Sequence, residues 1–380
     1  MTPGTELPSA LNLPRVLFAA GALSALAGEL EGLGIRKPLL VSDQGLVAAG
    51  LAAKAMAACG KSVPEVFDNV TENPLFADVD RGAALYARQG CDGVVALGGG
   101  SVIDTAKMIA LLATNPGSVA DYAGVRNAPH GPGAPLIVIP TTAGTGSEAS
   151  PSAGIHPDAA SPSVGMGSRH LVPRLAILDP DLTRSLPPRL TAATGIDALS
   201  HCIEGFLSKK DIPLGKSIAL DGIARVARYL RRATNNRDDA EARGEMMLAA
   251  FAGGAAIAMG LGPAHAVAIV CSDQGFHHGV LSGIGLVATL DATSAQVPER
   301  AAEVAAALGL ERGQPLAPAI ASLMRELGLP PTLAELNYVP RDLQALAAAA
   351  HQSHFNLFAP FHPAALEYAG MLTGSLNNSQ

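Results

Sequence analysis

Apolar residues in the first half of the chain fall in short, nearly continuous runs, whereas in the second half they recur every three or four positions. Residues 38–41 (PLLV), 62–67, 94–97 (VVAL), 136–139 (LIVI) and 175–178 (LAIL) read as buried strands. They are too short for helices and are punctuated by glycine, proline, serine or aspartate. Residues 45–59, 79–89 and 101–113 between them read as helices. This alternation predicts an α/β unit with a parallel sheet covered on both faces, with ligands at the carboxyl ends of its strands. From about residue 190 the β-branched runs give way to Ala- and Leu-rich segments at helical spacing, at 220–230, 241–258, 300–308, 316–327 and 343–351. An all-α second domain is expected. The boundary is placed at Pro187-Pro188, giving domains of residues 1–187 and 188–380.

Composition narrows the class. Of the 380 residues 48% are hydrophobic and 16% charged, enough to fill two cores and unlike a disordered chain. A net charge of -7 without a local basic cluster argues against a nucleic-acid partner; Arg231, Arg232 and Arg237 are followed at once by Asp238, Asp239 and Glu241. The four cysteines, Cys59, Cys91, Cys202 and Cys271, form no CxxC pair, which disfavours a thiolate zinc site or a disulfide framework. Residues 1–6 lack the basic start of a signal peptide, and no apolar run reaches the roughly 18 residues that span a bilayer. A soluble, cytoplasmic protein with no membrane partner is expected.

Three stretches of the α/β half could hold a nucleotide. Gly98-Gly99-Gly100-Ser101 lies between a strand and a helix, where backbone can approach a phosphate and a helix start offers free N–H groups. The loop Pro140-Thr141-Thr142-Ala143-Gly144-Thr145-Gly146-Ser147-Glu148 holds more hydroxyls and glycines than a structural turn needs. Asp43 closes its strand where an adenosine ribose lies in dinucleotide-binding folds; a carboxylate there accepts from the 2′- and 3′-hydroxyls and repels a 2′-phosphate. In the helical half, Asp197 and His201 stand four residues apart, on one face of a helix, as a pair of ligands for a divalent metal or as an acidic first turn beside a polar histidine.

Together, the segment from Gly98 to Lys107, the loop from Pro140 to Glu148, Asp179-Pro180 and the segment from Thr194 to Glu204 resemble the signatures of the iron-containing (group III) alcohol dehydrogenases, in that family's order. The resemblance spans about residues 15–290. It implies an N-terminal dinucleotide-binding domain, a helical metal-binding domain, and an active site in the cleft between them. It also implies NAD and a divalent metal, Fe2+ or else Zn2+, bound by one aspartate and three histidines. Asp197 and His201 match the first two ligands, His265 the third and His278 the fourth, with His277 the alternative. Cofactor contacts carried over by position are Asp43, Asn73, Gly99, Gly100, Ser101, Thr141, Thr142, Thr145 and Leu182. The implied activity is the NAD(H)-linked interconversion of a small alcohol and its aldehyde or ketone. The metal is the Lewis acid, and His277 is the candidate that handles the proton. A homo-oligomer is compatible with the family, though no sequence feature specifies one.

Departures from the family pattern set the remaining expectations. Ile269 stands where a further histidine is common, and the interval from His265 to His278 is one residue short. A lysine usual after the threonine-rich loop is replaced near Ser163, and Ala256 stands where many members carry an aromatic, which would leave room for a larger substrate. The aromatics Phe355, Phe358 and Phe361, with His351, His354 and His362, read as packing or surface rather than pocket. The alternatives are a glycerol dehydrogenase-like or dehydroquinate synthase-like metalloenzyme, or a non-catalytic nucleotide-binding protein that has lost its metal.

Overall fold

The computed structural model describes residues 10–124, 131–159 and 161–377. The signal-peptide reading of residues 1–6 and the last three residues of the tail lie outside the described residues. Strands β1 (Arg15–Phe18), β2 (Pro38–Val41), β3 (Glu65–Phe67), β4 (Gly93–Gly98), β5 (Leu136–Pro140) and β8 (Leu175–Leu178) form one sheet in the order β1-β8-β5-β4-β2-β3. Every pairing in it is parallel. Between β5 and β8 the chain makes a separate antiparallel pair, β6 (Ser152–Ile155) and β7 (Val164–Gly167).

Neighbouring residues on a strand face opposite sides, and here both sides are covered, which is why the strands read as unbroken apolar runs. Leu40, Val95, Leu97, Ile137, Ile139 and Ile177 pack with α1 (Leu26–Gly32) and α3 (Leu51–Ala58). Their neighbours Leu39, Val41, Val94, Ala96, Val138 and Leu178 pack with α4 (Phe76–Gln89) and α5 (Gly100–Leu112), in a core continuous with the helical half. Each such buried Leu or Ile contributes roughly 1.5–3 kcal/mol relative to exposure. The chain leaves β2 toward one face and β4 toward the other. Their carboxyl ends, at Asp43 and Gly99, therefore flank the crevice where such sheets bind ligands.

The helical half is organised around α6 (Pro188–Leu207), which starts with proline at its first position and is buried from Thr191 to Leu207. The helices α7 (Pro213–Asn235), α8 (Ala240–Ile257), α9 (Pro263–Val270) and α10 (His278–Ala295) pack around it. Outside these lie α11 (Pro298–Ala307), α12 (Leu316–Glu326), α13 (Leu343–Gln352) and α14 (Ala365–Leu376). Among the described residues no helix is long and apolar enough to cross a membrane. All four cysteines are buried and free.

Several elements differ from expectation. The helix expected over 45–59 is two helices, α2 (Gln44–Ala48) and α3, because Gly50 takes a left-handed conformation (φ 73°) between them. Strand β1 and the β6–β7 pair were not anticipated. The first is four residues at a half-exposed edge, and the pair is diluted by Gly154, Gly165 and Gly167. Helices α9 and α10 were likewise not read as elements, since their apolar residues run nearly continuously instead of marking one face, and α14 was not read although its buried residues Tyr368, Ala369, Leu372 and Ser375 mark a single face.

Candidate active site

One face of α6 carries Asp197, His201 and Glu204, at successive helical turns. Across from it, α9 brings His265 and the start of α10 brings His278. Asp197 is 3%, His201 5%, Glu204 6% and His265 1% exposed, so none of the four can rely on water for its polar atoms. Ligand atoms of Asp197, His201 and His265 lie within 4.8 Å of one another. The Nε2 atoms of His265 and His278 stand 4.0 and 3.7 Å from Asp197 Oδ1. The His201 and His265 rings stack at 4.7 Å, and the His278 side chain, 41% exposed, closes the open side. α10 approaches this closely because its second residue is glycine: a Cβ on Gly279 would sit 2.2 Å from the Ala193 carbonyl oxygen.

Asp197 Oδ1, His201 Nδ1 and His265 Nε2 are buried without a hydrogen-bond partner. Each such orphan costs on the order of 1–3 kcal/mol; Asp197 Oδ1 and His265 Nε2 face each other at 4.0 Å, and with a nitrogen of His201 within 4.8 Å they form a group able to hold a cation. One carboxylate with imidazoles suits iron, zinc or manganese. Burial presses the His201 imidazolium down to about 3, so the ring is neutral and one of its nitrogens keeps a lone pair for a metal. At Asp197 burial opposes the charge, but His201, His278 and His265 outweigh it and hold the carboxyl below its ordinary range.

The α/β half presents its loops to the same place. Register sets Gly98 of β4 opposite Pro140 of β5, and the Thr141 N–H donates to the Gly98 carbonyl at 3.1 Å. A Cβ on Gly99 would lie 3.3 Å from Thr142, and one on Gly100 2.6 Å from Thr145. Gly99, Gly100, Thr141, Thr142 and Thr145 are therefore brought together. The Ser101 hydroxyl donates to the Glu72 carbonyl, which holds the Asn73 loop beside the start of α5. Asp43 caps α2, its Oδ1 accepting from the Leu46 N–H at 2.9 Å, so the capping role and a ribose-binding role share one carboxylate. Leu182 lies in a short 3-10 turn, Pro180–Thr183, after β8, with its side chain in the core beneath the sheet.

The threonine-rich loop also joins the two halves. A Cβ on Gly144 would fall 2.5 Å from Thr194 Cβ of α6, and one on Gly146 (φ 63°) 2.3 Å from the Gly254 nitrogen of α8. Behind the loop Lys107 is fully buried, its Nζ donating to the Ser150 carbonyl (2.9 Å), the Ser150 hydroxyl (3.0 Å) and the Ser152 carbonyl (2.7 Å). Burial lowers Lys107 to about 8 and pushes Glu148 up to about 7. Ser163 lies against Gly154, whose N–H donates to Asp104 at 2.8 Å.

Three features of the site went unread or were misread in the sequence. Glu204 touches His265 Nδ1 and accepts from the Ala264 N–H at 2.8 Å; its spacing, seven residues after Asp197, was the available signal. Ala256 does not enlarge a pocket: it is wholly buried, and a Cβ on Gly205 would lie 2.6 Å from its own, so its small size serves the packing of α8 on α6. The tail reaches the site as well. The Phe355 ring stands 5.8 Å from the His265 ring and 4.2 Å from that of His354, and His354 lies against Gly165 of β7. His351 and His362 pair with each other at 4.7 Å. His277 caps α10, its Nδ1 accepting from the Gly279 N–H at 3.1 Å.

Comparison with known proteins accords with this geometry. Residues 14–180 match the family described as iron-containing alcohol dehydrogenase, and residues 191–367 match the C-terminal part of the Fe-containing alcohol dehydrogenase family. The chain is 40% identical over 369 residues to a 4-hydroxybutyrate dehydrogenase of Cupriavidus necator, covering 94% of this chain and 96% of that one. It is 33% identical to an NAD-dependent methanol dehydrogenase of Bacillus methanolicus, covering 89% and 92%. Among solved structures it is similar to a 1,3-propanediol oxidoreductase (TM-score 0.92, 29% identity, 97% and 100% covered). It is also similar to a sulfoacetaldehyde reductase from Bifidobacterium kashiwanohense in complex with NAD+ (TM-score 0.89, 28% identity, 98% and 99% covered).

Proposed function

Because the chain belongs to the iron-containing alcohol dehydrogenases, we propose that Asp197, His201, His265 and His278 hold its divalent metal. It is an NAD(H)-linked oxidoreductase of alcohols and their carbonyl partners, and the family's cofactors are NAD and iron. The observation that carries the ligand set is the buried cluster of Asp197, His201 and His265, with ligand atoms within 4.8 Å, in which Asp197 Oδ1 and His265 Nε2 have no hydrogen-bond partner and His278 stands 3.7 Å from the same aspartate oxygen. We assign NAD(H) binding to Asp43, Asn73, Gly99, Gly100, Ser101, Thr141, Thr142, Thr145 and Leu182, on the strength of their place at the strand ends. The division at residues 187 and 188 puts these groups in one domain and the ligands in the other. The cysteines, all free, fit a cytoplasmic enzyme.

When bound, the metal supplies Lewis-acid polarisation of the substrate oxygen, and the nicotinamide supplies or takes the hydride. The chain's own residues orient and shield. Asp197 contributes the negative charge of the ligand set, and Phe355 beside His265 keeps one side of it apolar. With Nδ1 accepting from the Gly279 N–H, His277 carries its ring proton on Nε2 and can donate a hydrogen bond from there to the substrate oxygen; to accept a proton it must use Nδ1 and release the cap of α10.

For substrate we propose a short hydroxy acid with its hydroxyl on the terminal carbon, supported by the near full-length similarity to a 4-hydroxybutyrate dehydrogenase. The test is a panel of short alcohols, diols, hydroxy acids and sulfonate-bearing aldehydes assayed with NAD(H) on metal-loaded enzyme. A kcat/KM for the terminal hydroxy acid at least tenfold above the unsubstituted alcohol of equal length is expected. Equal values overturn the assignment.

A further inference from the structure

We infer that Glu204 is a positioning residue, whose carboxylate fixes the His265 tautomer and holds the ligand-bearing helices α6 and α9 at their working separation. The inference rests on His265 being a metal ligand, as proposed above. A metal takes a lone pair from one imidazole nitrogen, and the opposite N–H of ligating histidines is commonly anchored by a carboxylate, which sets the ring's orientation and raises its basicity. Here the second atom is spoken for. His265 Nδ1 meets Glu204 Oε2, so the ring proton sits on Nδ1 and the lone pair falls on Nε2. That Nε2 is the atom left without a partner, 4.0 Å from Asp197 Oδ1.

The other oxygen, Glu204 Oε1, accepts from the Ala264 N–H at 2.8 Å, at the first turn of α9. One carboxylate on α6 thus grips both the start of α9 and the ring that α9 carries. The fit leaves no slack: a Cβ on Gly262 would approach Glu204 Oε1 to 2.8 Å. A neutral amide at position 204 cannot satisfy both contacts. If its oxygen accepts from Ala264, its NH2 faces the His265 N–H, and the ring must flip or turn.

The test is metal affinity, measured by cobalt(II) titration of the metal-free full chain through its visible absorption, alongside NADH binding by fluorescence. Glu204→Gln is expected to weaken cobalt binding tenfold to a hundredfold and to shift the absorption bands, with NADH affinity within twofold of the parent. Glu204→Asp restores the charge on a shorter arm and is expected to recover part of that loss; it also serves if the glutamine variant does not fold. Cobalt affinity within twofold of the parent in both variants overturns the inference. So does an NADH affinity that falls in step with the metal, the mark of a general structural role. His265→Ala in the same series separates the premise: if it retains cobalt at parental affinity, the ligand assignment fails, whatever position 204 does.

Discussion

At the scale of single residues, the histidine doublet divides its work by position. His278 stands beside Asp197 and His277 caps α10. His278→Ala should lower metal content at least tenfold after dialysis, as read by elemental analysis. His277→Ala should keep the metal, cost about 1 kcal/mol for a lost cap, and lower kcat. Equal metal loss in both variants would undo that assignment. Asp43 gives a second test: Asp43→Asn keeps an acceptor for the Leu46 N–H but removes the charge that repels a 2′-phosphate. The NAD-over-NADP ratio of kcat/KM should fall at least tenfold, and a parent enzyme that uses NADPH as well as NADH would refute the role. Glu148 sets a pH dependence. Its carboxyl is raised from 4.5 to about 7 by burial, so the fold favours the protonated form. The stability this group contributes is full below pH 4.5 and is lost as pH rises through 7. Urea midpoints of the parent relative to Glu148→Gln should therefore fall between pH 4.5 and 7.5; a flat difference would contradict it.

At the scale of elements, the decisive contact is that of the threonine-rich loop on α8. A Cβ at Gly254 would fall 2.0 Å from the Gly146 carbonyl oxygen. Gly254→Ala must push loop and helix apart, costing roughly 1–3 kcal/mol by overpacking. Because the same loop carries Thr142 and Thr145 against Gly99 and Gly100, weaker NADH binding should accompany the lower melting temperature. Unchanged NADH affinity would mean that the loop's seat on α8 does not set the cofactor site. Five of the six strands of the sheet were legible, since parallel strands covered on both faces are apolar, whereas β1 at the half-exposed edge was not. The helices that bring His265 and His278 to the site were not. α9 and α10 are buried nearly all round, and such helices lack the polar face that makes periodicity visible.

At the scale of the whole molecule, the loops assigned to NAD(H) and the proposed metal ligands come from different halves of the chain, and the loop from Thr141 to Glu148 touches both. Chelation of the metal should abolish turnover and lower the melting temperature, since a ligand that binds only the folded state stabilises it. NADH binding should persist within about twofold, read by fluorescence, because the groups assigned to it lie at the strand ends. Loss of NADH binding on chelation would show that the cofactor needs the metal side to be in place.

The sequence by itself determined the α/β sheet, the helical second half, the glycine and threonine loops, and the Asp197/His201 pair, because periodicity and i,i+4 spacing are local properties. Only the tertiary structure decided which distant groups share the site. Glu204 acquires a role through Ala264 and His265, sixty residues on. Phe355 and His354 arrive from the tail, and Ala256 turns toward Gly205 rather than a pocket. These are contacts between segments far apart in sequence, set by how several helices pack at once. Spacing along a helix can specify one face of a metal site; closing it requires the packing of the others.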